Sequence, residues 1–196
     1  MQVDFSVELG HGDEILELPW SSADGSTHYR DLKHFPDLLL EIEEANRFPE
    51  LAEFLETINS RASIFESAKC DVWVSSELHP EEEIFGATHK FGGYIDLVCS
   101  DLISRVSLSD HEKMARRLIE LLQCAPEIPA SVEFLIRRCY FTQGSTSGEP
   151  IEGLYFTSYI FGLGDNKELA RRQWSIALKL VENAIRQISA LRDDGR

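Results

Sequence analysis

Charged and aromatic side chains alternate with apolar residues in two predicted strands, at 68–76 and 88–99. Because successive side chains of a strand point to opposite faces of a sheet, the apolar set turns toward one face and the polar set toward the other. The polar and aromatic set consists of Asp71, Trp73, Lys90, Tyr94 and Asp96. We expect these side chains to share the sheet face that points away from the helices.

A later predicted strand, near 131–142, brings an arginine to the same face. Arg137 and Arg138 are adjacent, so their side chains cannot both point to one side without a β-bulge. We assign Arg138 to this candidate ligand-binding face. Aromatic rings supply apolar area and a few polar groups fix orientation, so the mixture is typical of a site for a small molecule or a peptide.

Two other interpretations of this face stay open. Cross-strand pairs of an aspartate with a lysine or an arginine are equally typical of an ordinary solvated sheet surface. The predicted N-terminal hairpin could also cover the face. The sequence does not decide between these three arrangements.

Signatures of nucleophilic and phosphate chemistry are missing from the sequence. It contains no G-x-S-x-G, G-x-x-x-x-G-K-[ST], H-E-x-x-H or G-x-G-x-x-G. Asp71 and Asp96 could do acid–base chemistry only if their carboxyl groups converge. We therefore favour a non-catalytic protein and assign no catalytic residue; the alternative is a small hydrolase-like enzyme that uses these two aspartates.

The cysteines and histidines do not follow a metal-binding spacing. No cysteine belongs to a C-x-x-C pair, and each lies in an apolar segment, so we expect reduced, buried thiols. The cysteines are Cys70, Cys99, Cys124 and Cys139. A histidine cluster with Asp31 would require tertiary folding, so we interpret His11, His28 and His34 as exposed loop residues. We expect neither a metal ion nor a cofactor.

An excess of acidic residues dominates the charge of the chain. Its 34 aspartates and glutamates outnumber 19 lysines and arginines, which gives a net charge of -15. Such a surface repels phosphate backbones and anionic lipids, so we expect no binding to nucleic acid or membranes. The predicted partner is a small molecule or a basic protein, and homodimer formation is left open.

Length and hydropathy predict a soluble, cytoplasmic protein of one domain. The 196 residues fit a single domain. No apolar run approaches the roughly 20 residues that cross a bilayer. The N-terminal sequence also lacks the basic and apolar regions of a signal peptide.

The first 60 residues divide into two parts. Residues 1–34 are predicted to form a hairpin and a loop, because apolar and polar residues alternate on both sides of a glycine-rich turn at 10–13. Residues 35–60 follow helical spacing. Proline fits the first turn of a helix but breaks its interior, so we expect two helices that meet near Pro49.

Two later segments, 68–124 and 131–192, are each predicted to form two strands and a helix. Capping patterns place the helix starts at Ser109 and at Asp165. The strand at 152–163 is apolar or aromatic on both faces, which predicts a central, doubly covered position. Both helices contain Ala-Arg-Arg, so the segments are either a degenerate duplication of a ββα unit or similar by chance.

The predicted fold is a single α+β domain spanning 1–196. An antiparallel sheet of five or six strands carries helices mainly on one face, in the order β-β-α-α-β-β-α-β-β-α. The predicted function is that of a binding or interaction protein: either a small-ligand-binding module or an acidic partner of a basic protein.

Overall fold

The computed structural model describes residues 1–10, 12–13, 15–75, 86–142 and 149–193. The strands are β1 (Gln2–Glu8), β2 (Leu16–Leu18), β3 (Phe65–Ser75), β4 (His89–Cys99), β5 (Ala130–Phe141) and β6 (Ile151–Gly164). A 3-10 helix (Pro36–Glu41) precedes the helices α1 (Glu43–Arg47), α2 (Pro49–Ile58), α3 (Leu102–Arg105), α4 (Leu108–Gln123) and α5 (Lys167–Asp193). Within the described ranges, no helix combines the length and the apolar character needed to cross a membrane.

The strands form one mixed sheet in which β1 and β3 occupy opposite edges. Neighbouring strands follow the order β1-β5-β6-β4-β3, and β2 pairs with β5 as well. The pairs β5–β6, β6–β4 and β4–β3 are antiparallel, whereas β1 and β2 run parallel to β5. The α+β class and the number of strands therefore agree with the prediction, but the sheet is mixed rather than antiparallel throughout.

The predicted N-terminal hairpin is wrong. Gln2 lies opposite Ser131 and Leu16 lies opposite Cys139, so β1 and β2 follow the same edge of β5 in the same direction. With 12 residues, β5 is long enough to pair with both strands in line. Alternation in a sequence indicates which side chains are buried, but it does not identify the partner strand.

Proline and cap residues set the helix boundaries. The two predicted helices are present as α1 and α2, and Pro49 lies in the first turn of α2. The cap of α4 is Ser107 rather than Ser109, and its hydroxyl accepts a backbone hydrogen bond at 3.2 Å. Asn166 rather than Asp165 accepts the corresponding bond at α5, at 2.8 Å. Serine, asparagine and aspartate are all good caps, so a neighbouring residue of the same kind can take the position.

The long helix α5 packs on the sheet along its apolar stripe. Every member of the stripe is buried: Ala170, Trp174, Ala177, Leu178, Val181, Ile185 and Ile188. The Trp174 ring centroid lies 5.0 Å from that of Phe91 and 6.1 Å from that of Phe48. Gly162 of β6 lies directly beneath α5, since a Cβ there would be 2.1 Å from the backbone nitrogen of Trp174. Helix and strand backbones therefore touch at this point.

The two ββα segments lie side by side in the sheet. β4 of the first segment neighbours β6 of the second, and β3 and β5 lie outside them. The helices α4 and α5 also contact each other. Element order alone does not establish a common origin, so the duplication stays a prediction.

Candidate functional site

The sheet face opposite to the helices carries four aromatic side chains, which we call the aromatic face. Its members are Trp73, Tyr94, Tyr159 and Phe161. Tyr94 lies opposite Tyr159, and Gly92 lies opposite Trp73 on one side and Phe161 on the other. Neighbouring ring centroids are 6.0 to 6.3 Å apart. All four rings are partly exposed and in contact, so they form one continuous apolar surface.

Gly92 makes room for one of these rings. A Cβ at this position would be 2.2 Å from a ring carbon of Phe161, so the absence of a side chain lets the ring lie over β4. The ammonium nitrogen of Lys90 is 4.9 Å from the centroid of the same ring. Lys90 is only 8% exposed, and a cation in this position is attracted by the ring face. These contacts fix the orientation of Phe161.

Asp96 belongs to a chain of polar contacts beside the aromatic face. Thr157 Oγ1 donates a hydrogen bond to Asp96 Oδ1 at 2.8 Å. The guanidinium of Arg137 donates to Thr157 Oγ1 at 3.4 Å and to Glu8 Oε2 at 2.8 Å. Asp96 is 5% exposed, so its carboxylate is directed into the protein and satisfied there.

Asp71 lies at the exposed margin of the same face. Its carboxylate accepts a hydrogen bond from the backbone N–H of Val72 at 2.7 Å. In the β3–β4 ladder Asp71 lies opposite Tyr94, and Tyr94 is two residues before Asp96 on β4. Asp71 is thus exposed and Asp96 is buried, and each has its own hydrogen-bond partner. These contacts do not bring the two carboxylates together as an acid–base pair.

The structure brings five of the six predicted site residues to one face, but it separates Arg138 from them. Arg137 lies opposite Tyr155 and on the aromatic side of β5, whereas Arg138 lies opposite Leu154 of the helix-facing core. The Arg138 guanidinium donates instead to the carbonyl of Gly10 at 2.6 Å. Which of the two adjacent arginines lies on the aromatic side depends on the register of β5 against β6. The sequence alone does not reveal this register.

The N-terminal segment covers one end of this sheet face. An apolar cluster forms there from Leu16, Leu18, Trp20, Tyr29, Ala68, Val98, Cys139, Phe141, Ile151 and Tyr155. Trp20 Nε1 donates a hydrogen bond to the carbonyl of Ala68 at 2.7 Å, which attaches the segment to β3. The N-terminal part of the chain therefore covers this end, although not as the predicted hairpin, while the aromatic face stays partly exposed.

Carboxylates line the side of the aromatic face that is nearest to β1. Asp4 lies opposite Glu133. Both border a cleft of about 850 Å³ that extends to the rings of Tyr159 and Phe161. Burial and the negative charges of Glu8 and Asp4 raise the pKa of Glu133. Arg137 opposes this rise, and Lys90 also lines the cleft, so the margin combines carboxylates with a resident cation.

A second cleft, of about 430 Å³, runs along the outer edge of β3. Five consecutive residues of β3, from Ser67 to Asp71, line it together with Tyr94 of the aromatic face. Residues 26–28, Arg30 and the glutamates Glu41, Glu43 and Glu44 also line it, and Arg30 pairs with Glu41 at 2.9 Å. The two clefts therefore flank the aromatic face on opposite sides.

The predicted loop histidines do not form a metal site in the described part of the chain. His28 and His34 are exposed, and His34 Nδ1 lies 3.0 Å from the carboxylate of Asp31. His11 lies outside the described residues. Within the described ranges, no three metal-ligating side chains are grouped so that they could hold an ion.

No cysteine is disulfide-bonded, and three of the four are at least partly buried. Cys99 and Cys139 are buried, Cys70 is partly buried and Cys124 is exposed. The prediction of a buried thiol is wrong for Cys124, because this residue caps the C-terminus of α4, where the chain leaves the core. Cys99 Sγ lies 3.8 Å from Nε2 of the buried His111.

Sequence reasoning missed Tyr159, Phe161 and Arg137 as residues of this face. The strand that carries the two aromatics was predicted to be covered on both sides, and its central position in the sheet is correct. Among the described residues, its far face is covered near Tyr155 and partly exposed at Tyr159 and Phe161. The alternation of Thr157, Tyr159 and Phe161 was the available signal, but uniform apolarity of the strand concealed it.

The fold and this face define the chain as a mixed-sheet α+β protein with one partly exposed aromatic surface. No family model, curated protein or solved structure matches it. Its function is therefore argued from the chemistry of the aromatic face, because a fold of this kind does not fix an activity.

Proposed function

We propose that the protein is a non-catalytic binding protein that holds a basic, partly apolar segment of a partner protein on its aromatic face. The observation that carries the proposal is a cluster of four partly exposed rings with carboxylates at its margins. Rings of this kind offer a large contact area, and their faces attract guanidinium and ammonium groups. The net charge of -15 adds long-range attraction for a basic partner.

The shape of the surface favours a protein segment over a small molecule. Small-molecule sites enclose most of their ligand in one pocket. Here two clefts, of about 430 and 850 Å³, flank the rings on opposite sides and make a long surface. An extended segment can contact both clefts and the rings between them.

Calorimetric titration with two synthetic peptides tests the proposal. The probes are an octapeptide of alternating arginine and valine and its counterpart with glutamate in place of arginine. We expect the arginine peptide to bind at least about tenfold more tightly. We also expect Tyr159→Ala to weaken its binding by about tenfold or more, because truncating a central aromatic side chain typically costs over 1 kcal/mol.

Phe35→Ala is the matched control for that substitution. Phe35 is an aromatic residue that is 61% exposed and lies outside the aromatic face. Its replacement should change the affinity for the arginine peptide less than about twofold, which is within the range of a non-contact residue. Equal binding of the two peptides, or equal effects of the two substitutions, would contradict the proposed function.

The proposal includes a cytoplasmic location, which the unpaired cysteines support. We expect four free thiols per chain after denaturation without reductant. In the native protein we expect only Cys124 to react rapidly with a thiol reagent, because it is exposed. Burial raises the pKa of Cys70 and of Cys139 to about 12, which suppresses their reactive thiolate forms. Fewer than four thiols in the denatured chain would show that a disulfide had formed.

A further inference from the structure

The edge strand β3 has a row of backbone groups on the side that faces away from β4. In the sheet order β3 comes last, next to β4 alone among the strands that the structure describes. In an antiparallel ladder, alternate residues direct both N–H and C=O toward the partner strand, and the residues between them direct these groups outward. An edge strand therefore offers a template on which another strand can pair.

Two hydrogen bonds identify which groups of β3 point outward. The carbonyl of Ala68 accepts a bond from the Trp20 indole, and the N–H of Val72 donates to the carboxylate of Asp71. Neither bond involves β4. The same alternation makes Cys70 and Val74 the other outward-facing residues near Val72.

The cleft beside β3 is lined by the strand edge itself. A surface that touches only one face of a regular strand meets every second residue. Beyond the irregularity of the ladder at Ala68, however, this cleft touches Lys69, Cys70 and Asp71 in succession. Its lining therefore includes the backbone edge. Across the cleft, Glu43 is exposed and Glu44 is partly buried, so acidic groups stand opposite the strand.

We infer that the outer edge of β3, from Lys69 to Val74, receives an extended basic segment of a partner protein as an added strand. This inference rests on the proposed function and specifies how the partner reaches the aromatic face. Side chains of an added strand would alternate between the two sides of the sheet. Those on one side would lie beside Asp71 and Trp73, and those on the other beside Val72 and Val74.

The side chains of β3 define the pattern that the partner segment should have. Asp71 and Trp73 favour basic residues on the aromatic side through ion pairing and cation–π attraction. Val74 is 46% exposed on the opposite side, where an apolar residue would cover it. The matching segment alternates basic and apolar residues. Recognition of this kind combines backbone hydrogen bonds for affinity with alternate side chains for specificity.

Four carboxylates and two cations line the cleft: Glu41, Glu43, Glu44 and Asp71 against Arg30 and Lys69. Arg30 is paired with Glu41 and the ammonium of Lys69 lies over the ring of Tyr94, so the remaining charge is negative and favours a foreign basic segment over a second copy of this chain. An antiparallel pairing of β3 with its own copy would bring two sets of Asp71, Glu43 and Glu44 together. Like charges that face each other across a strand pair are destabilising. The net charge of -15 on each chain adds to this repulsion.

Val72→Pro tests the inference on the full chain. Proline removes the outward N–H, and edge strands tolerate it at such positions, so the fold should survive with an unchanged circular dichroism spectrum. We expect the alternating arginine–valine octapeptide to bind this variant at least about tenfold more weakly than the wild type. Val72→Thr is the matched control, because it keeps the N–H and the β-branched shape, and it should bind within about twofold of the wild type.

A second measurement leaves the protein unchanged. The same octapeptide with N-methyl groups on alternate residues keeps its side chains but loses the backbone donors on one edge, and we expect it to bind at least about tenfold more weakly. Hydrogen exchange should also slow at the amides of Cys70, Val72 and Val74 when the unmethylated peptide is bound.

The outcomes separate this inference from the proposed function. If the octapeptide binds Val72→Pro as well as Val72→Thr but loses affinity for Tyr159→Ala, only the edge pairing is overturned. If it does not bind the wild-type protein, both proposals are overturned. If sedimentation shows a dimer that Val72→Pro abolishes, the edge pairs with a second copy and the inference of a foreign segment is wrong.

Discussion

Replacing Trp174 with alanine is expected to lower the free energy of unfolding by about 3–5 kcal/mol, the usual cost of removing a buried tryptophan. Trp174 is 0% exposed and its ring meets Phe48 and Phe91 at the junction of α5 with the sheet. A domain has a total stability of about 5–15 kcal/mol, so the loss is a large share of it. Urea denaturation of both proteins under one set of conditions measures the difference.

The matched control for this substitution is Arg172→Ala. Arg172 is exposed on the same helix, two residues from Trp174, and its replacement should change the stability by about 0.5 kcal/mol or less. Lys179 also lies away from the apolar stripe of α5 and is exposed. In the structure, however, Lys179 pairs at 2.9 Å with Glu182, which is 2% exposed, so it is not neutral. If Trp174→Ala is as mild as Arg172→Ala, the packing of α5 described here is wrong.

Gly162→Ala is expected to destabilise the protein by about 3 kcal/mol or more, at the upper end of overpacking effects. A Cβ at this position would lie 2.1 Å from the backbone nitrogen of Trp174 and 2.2 Å from the carbonyl oxygen of Ala170. Both are backbone atoms of α5, so no side chain can rotate away to relieve the contact. The helix must move off the sheet, and thermal denaturation should show a strongly lowered midpoint.

Gly12→Ala is the matched control for this second substitution. Among the described residues, chain neighbours apart, no atom lies within 4 Å of the Cβ that would be added at Gly12. The change should therefore leave stability within about 0.5 kcal/mol of the wild type, or raise it slightly by restricting the unfolded chain. Equal midpoints for the two variants would show that α5 does not lie against β6 at Gly162.

Features that depend on neighbouring residues in the sequence were predictable. The stripe on α5 follows from helical periodicity, because a residue and those three or four positions on lie on the same face. The break at Pro49 follows from the missing N–H of proline. The partner of β1 could not be found in this way, because its pairing with β5 depends on residues that are distant in the sequence.

In the candidate site, too, features that depend on one strand were predictable, and features that depend on the pairing of strands were not. Alternation within β3 and β4 placed Asp71, Trp73 and Tyr94 on one face, and the β3–β4 ladder agrees. The choice of Arg138 over Arg137 failed because it depended on the register between two strands. Phe161 was missed because one face of β6 is covered at one end and partly exposed at the other. This difference depends on which other parts of the chain pack on β6, and the residues of β6 alone do not reveal it.

The parallel pairing of β1 with β5 has a consequence for the order in which the chain folds. Glu8 and Arg137, which are joined in the finished sheet, are 129 residues apart. At synthesis rates of about 5–20 residues per second, β1 has to wait roughly 6 to 26 seconds for its partner to leave the ribosome. The β3–β4 hairpin and the helices can form during that interval from contacts close in sequence. Closing this one long loop is then the step that we expect to limit the folding rate.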